Sequence, residues 1–291
     1  MIKKTVSVIG SSGFIGRHLI EYLESKGHHV YSLGRQAMDS FSSEPLNSVV
    51  LESDVVIWAA AKVNPKSAEN SPELVNSELS DWISFLEELT TAKAFQGTVY
   101  FLSSGGCVYN STQDPFDETS TAEGNNRYGR MKVEMENALV ASGLNWVVLR
   151  LANVYGPNQP HGRGQGVIAE WLHSLQINMP LSVIGELDSY RDYLHIQDLV
   201  QTVEQLVSLG MTNEIYNIGG GLPVRLSEIL EMFSNYSPLV LENTESRPFD
   251  RKGYWLCICK IRSLGLQCTP VPIEAGISQL FRSELFGDSL K

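Results

Sequence analysis

Near its start the chain runs Val6-Ser7-Val8-Ile9-Gly10-Ser11-Ser12-Gly13-Phe14-Ile15-Gly16, and no other segment constrains the fold as tightly. A β-branched apolar run feeds a turn with glycine at every third position, and a helix-like stretch at 18–26 follows. That order predicts a parallel strand turning into a helix whose free N–H groups and dipole face a pyrophosphate. Gly10 allows the tight turn, Gly13 the close approach of a phosphate, and Gly16 the close packing of helix on strand. The spacing is G-x-x-G-x-x-G rather than G-x-G-x-x-G, and a glycine turn after a strand is also compatible with a plain turn.

With 291 residues the chain can hold a dinucleotide-binding domain and a smaller second lobe. A net charge of −11 argues against a general nucleic-acid surface, which needs clustered cations. A small polyanionic ligand remains compatible if a few arginines share one cleft. The longest apolar run, 55–61, is too short for a bilayer, and Lys3 and Lys4 lead into a strand-length run. The expectation is therefore a cytoplasmic protein without leader or membrane partner. Cys107, Cys257, Cys259 and Cys268 make no disulfide framework, and the single residue between Cys257 and Cys259 is too short a spacing for a zinc knuckle. No metal is expected.

Strand-like and helix-like segments alternate through the first half. Strands are predicted at 30–33, 54–60, 98–103 and 146–151, and helices after Ser71-Pro72-Glu73 and over 126–142. Beyond Gly156-Pro157 the alternation breaks into a Gly/Pro-rich loop, 157–166. A helix over 167–175 follows, then a capping-box start at Asp198-x-x-Gln201, a strand at 215–218, and a short helix capped by Ser227. The fold class this predicts is α/β, a doubly wound parallel Rossmann sheet with a smaller α/β substrate-binding lobe. The sheet domain is assigned 1–156 plus about 192–219, and the lobe about 157–191 plus 220–291.

Tyr128 and Lys132 lie four apart, on one face of the helix over 126–142. A cation beside a phenol favours phenolate and lowers its pKa, so Tyr128 is predicted to exchange protons near neutral pH. Tyr22 and Lys26 share the spacing, but follow the glycine turn directly and are read as core. Tyr128 follows a later strand, at the carboxyl edge where open α/β sheets bind ligands.

Together with the glycine turn, Tyr128 and Lys132, the run Ser103-Ser104-Gly105-Gly106-Cys107-Val108-Tyr109 resembles the extended short-chain dehydrogenase/reductase family, in its nucleotide-sugar epimerase and dehydratase branch. Further matches follow in the family's order and cover most of the chain. They are Arg150-Leu151-Ala152-Asn153-Val154-Tyr155-Gly156-Pro157, Tyr190-Arg191-Asp192-Tyr193-Leu194-His195, Tyr216-Asn217-Ile218-Gly219 and Arg247-Pro248-Phe249-Asp250. The resemblance implies that Tyr128 is the acid/base and that Lys132 holds the nicotinamide ribose. It places Gly10, Ser12, Gly13, Phe14, Ile15, Gly16, Ala59, Ala60 and Ser103 around the cofactor, and Asp54 and Val55 against its adenine. Asn153 is implied at the substrate's phosphate end, with Arg191 and Arg247 gripping its diphosphate; His195 reads as a packed strand-end residue.

The chain departs from the family at three places. The family's Ser or Thr, three residues before the Val-Tyr pair, falls on Gly105; either Ser104 or a water supplies that hydroxyl. The acidic pair of the dehydratases falls on Gly106 and Cys107, which disfavours dehydration. Gly34-Arg35 stands where an Asp usually takes the adenine ribose: Arg35 either meets the 2′-phosphate of NADP or points to solvent beside NAD. The cofactor expectation is NAD or NADP, leaning to NADP.

The function implied is a C4 epimerase of a nucleotide-diphosphate sugar, with an NADPH-dependent reductase of a 4-keto-6-deoxy sugar as the alternative. A non-catalytic dinucleotide-binding sensor or scaffold is the reading from a different class. The family resemblance also implies a homodimer through helices at 73–92 and 126–142. Substrate choice is expected in 157–166, 184–189 and 221–226.

Overall fold

The apolar run before the glycine turn forms strand β1 (Thr5–Ile9), buried past its first residue. The structure is a computed structural model and describes residues 2–34, 48–92, 94–110, 113–162, 164–244, 251–266 and 270–285. Helix α1 (Phe14–Ser25) follows the turn. The main sheet continues with β2 (His29–Leu33), β3 (Val55–Trp58), β4 (Thr98–Ser104) and β5 (Asn145–Leu151). Between β5 and the last main strand lie β6 (Asn153–Tyr155), β7 (Leu181–Ile184), β8 (Tyr190–Arg191) and β9 (Tyr193–His195). Strand β10 (Glu214–Ile218) completes the sheet, whose order is β10-β5-β4-β3-β1-β2 with every pair parallel. The chain reverses direction across the sheet after β2, so β1 and β3 are neighbours that open a crevice at their carboxyl ends.

Helices cover both faces, which is why these strands read as near-continuous apolar runs. Val55 and Ile57 share a core with α1 and α5 (Ile196–Leu209). Val56 and Trp58 point the other way, toward α2 (Pro72–Thr91) and α3 (Arg127–Ala141). A separate cluster joins α4 (Val167–Gln176), β7, α6 (Leu226–Ser234) and α8 (Ile273–Leu280) around Trp171, Phe233 and Phe281. Strands β11 (Val224–Arg225) and β12 (Leu241–Thr244) pair with β8 and β7. Tyr254, Leu256, Ile258 and Ile261 return to the core beneath the sheet, with α7 (Cys259–Ser263) against β10. This stretch therefore does not belong wholly to the lobe to which 220–291 was assigned.

Two helix starts differ from expectation. The α5 cap is His195, whose Nδ1 accepts from the Gln197 N–H; Asp198 sits inside the first turn and accepts from the Val271 N–H. Likewise Arg225, not Ser227, precedes α6. A local S/D-x-x-E/Q pattern marks a helix start to within a turn, and tertiary contacts choose the residue.

Helix α3 is anchored to the sheet by a buried charge cluster. The Arg150 guanidinium on β5 donates to Glu136 at 2.7 and 3.2 Å, and the Ser103 hydroxyl on β4 donates to the same carboxylate at 2.5 Å. The Trp82 indole of α2 adds a hydrogen bond to the Met135 carbonyl. Removing one partner strands the other charge in the core, at a cost of about 3–5 kcal/mol. Glu136→Ala is expected to lower the urea unfolding free energy by that amount; a loss under about 1 kcal/mol would show that the cluster does not anchor α3.

Candidate active site

The glycine turn lies at the carboxyl edge, beside the β1/β3 crevice. Gly10 has φ +88°, and a Cβ there would stand 2.6 Å from the Ala60 nitrogen, so only glycine fits. A Cβ on Gly16 would collide with the Gly10 carbonyl. Helix α1 starts at Phe14 with Gly13 as its cap, and among the described residues no side chain caps its first N–H groups. Those free donors and the dipole make a cradle for an anion, with Ser12, Phe14 and Ile15 around it. Ala59 and Ala60 follow β3 on the same edge, the Ala59 N–H bonding the Ile9 carbonyl.

Asp54 and Val55 are a correction. Val55 pairs with Val6 at the amino end of the sheet, and the Asp54 carboxylate accepts from the Thr5 N–H at 2.7 Å and pairs with Lys4. The length of β3 separates them from the glycine turn, so they cannot meet an adenine bound at the carboxyl edge. Arg35 lies outside the described residues.

Tyr128 and Lys132 do stand together, at the start of α3. Asn126 caps that helix through the Gly129 N–H, and Gly129 packs so close to the Cys107 carbonyl that any side chain there would collide. This contact sets the first turn of α3 against the end of β4. The Lys132 ammonium sits 5.6 Å over the Tyr128 ring and 4.8 Å over Phe101. Its charge partner is Glu78 on α2, 3.7 Å away and equally buried. Glu78 also accepts the N–H groups of Lys62 and Val63.

The predicted drop in the Tyr128 pKa is overturned. Burial raises it above the ordinary phenol value, and Glu78 and then Cys107 add to the rise. Burial also depresses Lys132, against the pull of Glu78. Sequence spacing could not reveal Glu78, which is remote in the chain. Its signal is an acid on the apolar stripe of α2, between Val75 and Trp82.

The strand end also sorts its hydroxyls. Ser103 is buried and committed to Glu136. The Ser104 hydroxyl bonds the Cys107 thiol, which also accepts from the Asn126 amide at 3.6 Å; burial pushes that thiol up. Gly105 and Gly106 are covered by Leu256 and Tyr254, two residues without a distinguishing sequence signal.

A cavity of about 350 Å³ lies in the second lobe, lined by Asn153, Arg191, Tyr193 and Trp171 among others. Asn153 donates to the Asp192 carbonyl. Among the described residues Arg191 makes no ion pair: it donates to the carbonyls of Tyr190, Arg251 and Lys252 and so holds the segment 251–252 in place. Arg247 lies outside the described residues. Arg251, missed in the sequence, donates to the Tyr109 carbonyl while a second buried guanidinium nitrogen has no partner among the described residues. His195 is packed against Tyr155 at the strand end, and burial brings it down to about 4. Among the described residues no His, Cys, Asp and Glu group could hold a metal.

Beneath the cavity the Asp192 carboxylate accepts the N–H groups of Gly220, Gly221 and Leu256, yet burial outweighs them and pushes it up to about 6.

Comparison with known proteins shows the family and the fold. The model of the NAD dependent epimerase/dehydratase family matches residues 6–219. A dTDP-4-dehydro-6-deoxyglucose reductase of Escherichia coli is 36% identical over 137 residues, 46% of this chain and 43% of that protein; the match thus spans less than half of the relative. A putative UDP-glucose 4-epimerase of Methanocaldococcus jannaschii is 26% identical over 94% of this chain and 96% of its own. The UDP-glucose 4-epimerase of Thermus thermophilus, solved in complex with NAD, superposes with a TM-score of 0.82 at 23% identity, covering 94% of this chain and 96% of that one.

Asp192 also sets a pH dependence. A carboxyl held above its ordinary 3.8 contributes stability while protonated, fully below pH 4 and lost as pH rises through about 6. Over that interval the wild type is expected to lose roughly 3 kcal/mol of urea unfolding free energy relative to Asp192→Asn. A difference that stays flat or grows with pH would contradict this.

Proposed function

The chain belongs to the NAD-dependent epimerase/dehydratase family, and from that premise we propose that it inverts C4 of a nucleotide-diphosphate sugar through a transient 4-keto sugar. The observation that supports this reading is Tyr128, with Lys132 one turn on, in the first turn of the helix that packs at the end of β4, a strand lying in the sheet between β1 with its glycine turn and β5, which leads into Asn153.

The cradle fits a dinucleotide pyrophosphate, because side chains are excluded at Gly10 and Gly16 and the α1 N–H groups are uncapped. NAD or NADP held there would supply reversible hydride exchange with the sugar carbon. The protein's own groups do the rest. Tyr128, ionised to its phenolate, takes the proton of the C4 hydroxyl as that carbon becomes a ketone and, now a phenol, returns it when the alcohol re-forms. Lys132 holds the ribose, and Asn153 and Arg191 hold the substrate's diphosphate end so that the sugar can turn over without leaving. Gly106 and Cys107 offer no acidic pair for dehydration.

A second reading is a reductase of a nucleotide 4-keto-6-deoxy sugar. It is favoured by the raised phenol of Tyr128, since reduction begins from the protonated form, and by the likeness to the Escherichia coli reductase.

Incubation with UDP-glucose and UDP-galactose, then with a dTDP-4-keto-6-deoxy sugar plus NADPH, separates the two. The epimerase interconverts the first pair with no net change in nicotinamide absorbance, while the reductase consumes NADPH one for one. In either case Tyr128→Phe is expected to lower kcat about 10²–10⁴-fold. An unchanged rate would contradict both; cofactor binding with no turnover of either substrate set would favour a sensor or scaffold.

The exposed faces of α2 and α3 carry Ile83 and Val140, each 45% exposed, and frame a groove of about 280 Å³. They support a homodimer through a four-helix contact. Light scattering at micromolar concentration is expected to give a dimer, and Ile83→Arg a monomer; a monomeric wild type would contradict it. Among the described residues no helix is long and apolar enough to cross a membrane.

A further inference from the structure

A ketone forming or disappearing at a sugar carbon gathers negative charge on its oxygen, and one phenol supplies one donor. Sites of this chemistry are most effective when a second preorganised donor faces the same oxygen. Ser103 is spent on Glu136, and Ser104 lies beside the Cys107 thiol, so a donor from another segment would complete the pair.

The pair Gly105-Gly106 shows what takes the space. A Cβ on Gly105 would stand 2.7 Å from Leu256 Cδ1, and one on Gly106 would stand 2.5 Å from the Tyr254 hydroxyl oxygen. The two glycines leave a notch at the strand end, and the segment carrying Tyr254 and Leu256 fills it from the far side. Tyr254 is buried, and the Cys107 thiol lies within electrostatic reach of both Tyr128 and Tyr254. Tyr254 thus meets the end of β4 at Gly106, next to Cys107, on whose carbonyl the first turn of α3 with Tyr128 packs.

The segment is held firmly. The Tyr254 N–H bonds the Tyr190 carbonyl at 3.3 Å, and the Leu256 N–H bonds Asp192 at 3.1 Å. The Arg191 guanidinium lies 5.9 Å from the Tyr254 ring centre and ties down the carbonyls of Arg251 and Lys252. A hydroxyl so fixed needs no reorganisation when charge develops.

We propose that the Tyr254 hydroxyl is the second donor to the reacting sugar oxygen, delivered across the Gly105-Gly106 notch in place of a strand-end hydroxyl. This rests on the sugar-nucleotide reading above. Tyr254 donates a hydrogen bond and transfers no proton, which leaves the acid/base step to Tyr128.

The test measures binding as well as turnover. Calorimetry compares UDP-galactose and dTDP-glucose with bare UDP and dTDP, on wild type and Tyr254→Phe. The expected result is binding of the sugar nucleotides weakened about threefold to tenfold in Tyr254→Phe, bare nucleotides unchanged, and kcat reduced more than KM is raised. Adding Gly105→Ser with Leu256→Ala, which clears the Leu256 methyls and puts a hydroxyl back on the strand, is expected to restore at least threefold of the loss. Tyr254→Phe binding and turning over sugar nucleotides as wild type does would overturn the proposal and leave the oxidoreductase reading standing. A wild type that binds sugar nucleotides no better than bare nucleotides would overturn it as well. If Tyr254→Phe weakens sugar binding in a wild type that turns nothing over, only the catalytic reading falls.

Discussion

The close approach of Gly129 to the Cys107 carbonyl is the contact on which the site depends. It lets the first turn of α3 lie directly on the end of β4, bringing Tyr128 to the carboxyl edge of the sheet. One turn further on, Lys132 meets Glu78, and another turn on, Glu136 meets Arg150 and Ser103. The helix is thus fixed by one steric contact and two buried charge contacts, all on its sheet-facing side. Buried ion pairs add little net stability, but they penalise any shift that would separate the charges. Rigid placement of the phenol follows from that penalty.

Electrostatics then determine the resting form of the site. A lysine beside a tyrosine is ordinarily a reason for an acidic phenol. Here the ammonium already faces a carboxylate, both lie out of water, and the net effect on Tyr128 is a rise. The protonated phenol is the form needed to reduce a ketone, and burial holds Tyr128 there, with Glu78 adding to it. In the second lobe Arg191 directs part of its guanidinium to the carbonyls of Tyr190, Arg251 and Lys252 and so steadies the 251–252 segment.

Local pattern carried much of this into view before any coordinates. The glycine turn, the parallel strands and the Tyr128/Lys132 helix depend on neighbours within a few residues, and each appears at its predicted place. What required three dimensions was contact between distant segments. Asp54-Val55 looked like an adenine contact because two residues cannot say which end of a strand they occupy; the register of β1 on β3 puts them at the amino end. Glu78, Arg251 and Tyr254 reach the site from segments with no motif of their own. Leu256 and Tyr254 also explain why Gly105 and Gly106 lack side chains, an absence that the local sequence could register but not interpret.

The central claim is positional: the Tyr128 hydroxyl stands at the sugar oxygen that gains and loses the proton. A crystal structure of the protein with NAD and UDP-glucose both bound tests it most directly. The account predicts Tyr128 Oη within about 2.6–3.2 Å of the sugar's C4 oxygen. A sugar bound with C4 turned away from Tyr128, and a different side chain within hydrogen-bond reach of that oxygen, would contradict it.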